Sequence, residues 1–132
     1  MGVNRVERGK WKMKSDGVLY AKSLDFAVRI VNLHRHLVAR RQERPVADQI
    51  LRSGTSIGAN VSEAESAQSR ADFVARMSIA LKECGETGFW LVLLRRVSSI
   101  SDAEYKSMDA DRREIFALLT SILKTAKSRM DR

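Results

Sequence analysis

Between Tyr20 and Gln42 the chain has neither glycine nor proline, and apolar residues recur at helical spacing on two adjoining stripes. Leu24, Ala27, Val28, Val31 and Val38 form one broad face, and Phe26, Ile30, Leu33 and Leu37 form a second beside it. Only Lys22, Asp25, Arg29, Asn32, His36 and Arg40 supply a polar sector. A helix apolar over most of its circumference must be covered on most sides. A chain of 132 residues has room for one domain, so the spacing predicts that a neighbouring subunit buries part of this helix.

The following segments read as helices too. Arg44-Pro45 ends the first, and Pro45 suits the opening turn of the next. The middle of the second helix, Ser53 to Asn60, is rich in small residues. Two glycines there cost about 1 kcal/mol each relative to Ala, which predicts close helix–helix approach and hydroxyls bonded back to carbonyls. The spacing and lysine of a phosphate-binding glycine loop are missing. Ser69 with Asp72 marks the third helix start, and Ser101-Asp102-Ala103-Glu104 has the pattern of a capping box. Phe73, Met77, Ala80, Leu81, Cys84, Gly88 and Leu91 form the core stripe of helix three. Ile79, Trp90, Leu93, Leu94 and Val97 make a second patch on it. Ile115, Leu118, Leu119, Ile122 and Leu123 supply the core of helix four.

The expected fold is all-α: an up-down-up-down antiparallel four-helix bundle over residues 17–132, preceded by a basic arm at 1–16. Helices are expected at about 20–42, 46–67, 70–98 and 102–128. With helices one and three doubly apolar, the expected subunit interface comprises Phe26, Ile30, Leu33 and Leu37 with Ile79, Trp90, Leu94 and Val97.

Chemistry-bearing constellations are few. His34 and His36 are two apart and point to different sides of a helix, so they cannot share an ion. Glu83 and Glu86 read as an ion-paired or solvated pair. Cys84, the only cysteine, falls on an apolar stripe, where a buried inert thiol is the usual outcome. No catalytic residue, metal or cofactor is expected. No apolar run approaches the roughly 18 residues of a membrane span, and the reading is a cytoplasmic protein without a membrane partner.

Charge is the remaining signal. Lys and Arg number 24 against 16 Asp and Glu, a net +8, and residues 1–44 carry eleven basic and four acidic groups. Bundle topology gathers Arg40, Arg41 and Arg44 with Arg95 and Arg96 at one end, while Lys22 and Arg29 continue along a flank. Together these seven are the candidate phosphate contacts. With eight aromatics, mostly at core-like spacing, stacking on bases is not indicated, and contact is expected to follow backbone charge. The competing reading is a protein-interaction scaffold whose cations serve solubility.

The segment Ser56-Ile57-Gly58-Ala59-Asn60-Val61-Ser62-Glu63-Ala64, with Gln49 to Ser53 before it and Ser69 to Phe73 after it, resembles the four-helix-bundle family of 23S ribosomal RNA intervening-sequence proteins. Ser78 to Cys84, Glu86-Thr87, Trp90-Leu91, Ser23-Leu24 and Phe26-Ala27 resemble it too, so the likeness spans about residues 20–126. Ala64 departs from it, since many relatives carry Gly there. The resemblance implies a ring-like homopentamer. Through the related accessory variability proteins of diversity-generating retroelements, it also implies nucleic acid and a reverse transcriptase as partners.

Overall fold

The structure, a computed structural model, describes residues 16–130; the expected arm lies outside them except for Asp16. Four helices make up the described chain: α1 (Asp16–Ala39), α2 (Arg44–Ala64), α3 (Arg70–Arg96) and α4 (Asp102–Met130). No strand occurs among the described residues. The architecture is all-α, with each helix packed on its chain neighbours and α1 also on α4.

The contacts run in opposite numerical directions across each seam. On α2, Gly58 lies against the Ser23 carbonyl of α1 and Gly54 against the Ile30 side chain. Farther along, His34 meets Asp48 at 2.7 Å. A Cβ on Gly54 would sit 2.7 Å from Ile30 Cγ1, so this glycine lets the two helices approach. Thr55 and Ser56 donate to the carbonyls of Leu51 and Arg52 at 2.7 and 2.6 Å, which satisfies hydroxyls in a segment poor in helix formers. Between α2 and α3, Thr87 Oγ1 donates to Ser53 Oγ at 2.9 Å within the core. Arg95 lies over the Tyr105 ring at 4.1 Å, and Arg70 reaches the Arg129 carbonyl at 2.9 Å, tying the two ends of α3 to α4.

Helix ends follow local chemistry. The Ser69 hydroxyl accepts from Asp72 N–H at 3.1 Å. Ser101 and Glu104 close a reciprocal capping box, with bonds of 2.8 and 3.0 Å. α2 stops at Ala64 rather than near Ala67, because Glu65, Ser66 and Ala67 donate three residues back and tighten the chain.

The core stripe of α1 is the one expected at the subunit interface. Leu19, Ser23, Phe26, Ile30 and Leu37 are fully buried, whereas Leu24 and Val28 are half exposed. Phe26, Ile30 and Leu37, with Leu94 of α3, are therefore enclosed within the subunit and have no surface to offer a partner, which corrects their placement at an interface. Of that set, Ile79 and Val97 are exposed, and Leu33 and Trp90 are partly buried against the core. The exposed apolar strip on α1 is instead Tyr20, Leu24 and Val28. It borders a groove of about 220 Å³ whose other wall is Thr55, Gly58, Ala59 and Ser62 of α2.

Candidate nucleic-acid interface

The end of the bundle where α1 and α3 finish is built by two turns of the same kind. After α1, Arg41 N–H donates to Val38 O and Gln42 N–H to Leu37 O, both at 3.0 Å. After α3, Ser98 N–H donates to Arg95 O at 3.0 Å and Ser99 N–H to Leu94 O at 2.9 Å. Both patterns are Schellman caps, which close a helix through one residue in the left-handed region. Glycine is the usual occupant; here Arg41 (φ 55°) and Ser98 (φ 62°) stand there. A side chain in that conformation costs about 1 kcal/mol or more.

These turns place Arg40, Arg41, Arg44, Arg95 and Arg96 at one end. α1 and α4 meet there across a groove lined by Arg29, His36, Ile100, Ala103 and Glu104, among others. Arg41 and Arg96 are exposed and have no ion pair among the described residues. Arg40 is exposed, lies 2.9 Å from the imidazole of His36 and makes no ion pair among the described residues. Arg95 is held on Tyr105, and Arg44 is paired with Asp48 at 3.1 Å. Glu43, Asp48, Asp102 and Glu104 are the acidic residues of this end, and two of them are committed. The hydrogen bond from His34, with a second from Arg44, holds Asp48 below the usual carboxylate range. Glu104 is lowered first by the Ser101 N–H and then by the Ser101 hydroxyl, with smaller help from His36 and Arg40.

The flank differs. Lys22 is paired with Glu114. Arg29 is held by Asp111 at 2.6 Å and by the carbonyl and hydroxyl of Ser107 at 3.2 and 2.8 Å. Lys22 and Arg29 are thus neutralised by α4 and do not extend the open cluster. Arg52, absent from the expected site, is likewise committed, to Glu83 at 2.9 Å and to Glu86. This accounts for Glu83 and Glu86 as ion-paired carboxylates.

Three of the described aromatics, Tyr20, Phe89 and Phe116, break the core-like pattern and are exposed. Phe89, on the outer side of α3, is 61% exposed, and its ring meets Trp90 edge-on at 5.0 Å. Phe89 belongs to neither apolar stripe of this helix, and helical spacing sets it opposite the core stripe of Phe73, Met77, Ala80, Cys84 and Leu91. Burial pushes the Cys84 thiol up to about 11, leaving it protonated and unreactive at neutral pH. Among the described residues, no three His, Cys, Asp or Glu side chains gather to hold an ion. No helix there is long and apolar enough to cross a membrane.

Fold and surface together define an all-α four-helix protein with a cationic end. Residues 15–121 match the family described as 23S rRNA-intervening sequence protein, and the chain belongs to that family. A crystal structure from Bacteroides thetaiotaomicron VPI-5482, a protein of unknown function from the S23 ribosomal protein family, is similar at 55% identity and a TM-score of 0.82. The match covers 83% of this chain and 98% of that one. No curated protein matches the sequence.

Proposed function

We propose that this protein is a non-enzymatic, oligomeric nucleic-acid-binding protein that grips phosphate backbones electrostatically, with little sequence preference. The observation that carries the reading is the open cluster of Arg40, Arg41 and Arg96, where two of the four carboxylates at this end, Asp48 and Glu104, are already engaged by His34, Arg44 and the Ser101 cap. Arg41 keeps a long cation where the backbone would be relieved by glycine. RNA is the natural first ligand for a chain of this family.

Each subunit is read as an up-down-up-down antiparallel bundle, supported by seam contacts that fall in one helix as they rise in the next. Its copies associate through the α1 strip of Tyr20, Leu24 and Val28 with the adjoining groove of α2. A closed ring needs a second, different patch; Ile79 and Val97 on α3 are available for it. Association would repeat the cationic end around a shared axis. Sedimentation should give a multimer at micromolar concentration, and Leu24→Glu with Val28→Glu should give monomers.

The function is tested by titrating labelled RNA and DNA at rising salt. Between about 50 and 200 mM salt, affinity should fall by tenfold or more if several phosphates are contacted. Salt-insensitive binding of a protein partner, with no affinity for either polymer, would establish the scaffold reading instead.

A further inference from the structure

We infer that the outer face of α3 binds single-stranded nucleic acid, with a base stacked on Phe89 and phosphates held by Lys82 and Arg96. This rests on the polyanion-binding reading above and adds to it the strandedness of the ligand. Lys82, Phe89 and Arg96 are spaced seven apart, nearly two helical turns, so they share one strip at intervals of about 10 Å. All three are exposed, and neither cation has an ion pair among the described residues. The strip also carries Ala71, Ala75, Ser78 and Gly85; Glu86, four residues after Lys82 and three before Phe89, borders it and feels the Lys82 charge. The nearest carboxylates, Glu83 and Glu86, turn toward α2, where Arg52 holds both and Trp90 donates to Glu86 at 3.0 Å.

Two features point to a planar ligand rather than to simple solubility. Phe89 is the most exposed of the large apolar side chains described, and the edge-on contact with Trp90 restrains its ring. Gly85 lies one turn before it on the same face, and a Cβ there would meet nothing within 4 Å. Packing therefore does not demand this glycine, although glycine weakens a helix interior. It leaves open surface beside the ring. A duplex keeps its bases stacked inside, whereas a single strand can offer one to an aromatic face. At its far end the strip reaches Arg96 and the cationic cluster, so one strand could follow both.

The test uses fluorescence anisotropy of the full chain with a single-stranded RNA and a duplex of equal length at one ionic strength. The wild type should prefer the single strand. Phe89→Ala should weaken single-strand affinity about tenfold and leave duplex affinity within about twofold. Phe89→Tyr should retain it, and Gly85→Gln should weaken it without lowering the melting temperature. Equal single-strand affinity for wild type and Phe89→Ala would overturn the stacking inference while leaving polyanion binding intact. Failure of the wild type to bind either RNA would defeat both readings. A smaller particle in sedimentation for Phe89→Ala, with unchanged affinity per subunit, would make this face a protein contact and also overturn the inference.

Discussion

Two sets of cations in this bundle differ in a way that a charge count does not register. Along the flanks, Lys22, Arg29 and Arg52 each face a helix that supplies carboxylates, and each is paired. At the end where α1 and α3 finish, Arg40, Arg41 and Arg96 stand at the last turns and make no ion pair among the described residues. The flank set stitches helices together; the end set is available to a polyanion. Availability follows from what an adjacent helix presents, so a net charge of +8 does not by itself locate a binding surface.

Charge changes separate the sets most sharply. Arg40→Glu with Arg41→Glu should lower RNA affinity about 10- to 100-fold at low salt, while the melting temperature moves little. Arg29→Gln should do the opposite. It abandons Asp111 and Ser107, lowering thermal stability, and should change affinity by no more than about twofold. Binding titrations and calorimetry on the same preparations check both outcomes.

A finer separation uses the two matched turns. Replacing either left-handed residue by glycine relieves the backbone, partly offset by the greater freedom of an unfolded glycine. Arg41→Gly and Ser98→Gly should each stabilise the fold by about 0.5–1 kcal/mol. Only Arg41→Gly should weaken RNA binding, because Ser98 carries no charge.

The smallest expected effect is in acid. The Trp90 N–H, with Arg52, holds Glu86 below the ordinary range, and the Ser101 N–H does the same for Glu104. A carboxyl lowered by folding contributes stability that is complete above its unfolded value, about 4.3, and is lost as pH falls through the folded value. The melting temperature should therefore drop below about pH 4. Glu86→Gln should flatten part of that drop, while Arg52 keeps its pairing with Glu83.

Much of the fold is legible in the sequence. Ser69 and the Ser101–Glu104 box mark two helix starts, and the 3.6-residue spacing of α3 and α4 identifies their cores. For α1 two stripes compete, and the decisive signal is length. Leu19, Ser23, Phe26, Ile30, Leu33 and Leu37 keep alternating steps of four and three through most of the helix, whereas the stripe of Leu24, Ala27, Val28, Val31 and Val38 spans a shorter length and is broken by Arg35. The longer stripe is the one that Gly54 admits. The site is less legible. Ion-pair partners such as Asp111 for Arg29 depend on which helix lies alongside and how it is rotated, and no local pattern encodes that. The caps at Arg41 and Ser98 lack the glycine that would announce them. Phe89 lies opposite the core stripe by spacing alone, but its place in an apolar run of sequence masks it.

The most direct test of an available cationic end is the salt dependence of single-stranded RNA binding for the wild type and for Arg40→Gln with Arg41→Gln. If these two arginines each neutralise a phosphate, the slope of log affinity against log salt should become shallower by about 1.4. Parallel lines for the two proteins would contradict the account, because the polymer would then be held by charges elsewhere.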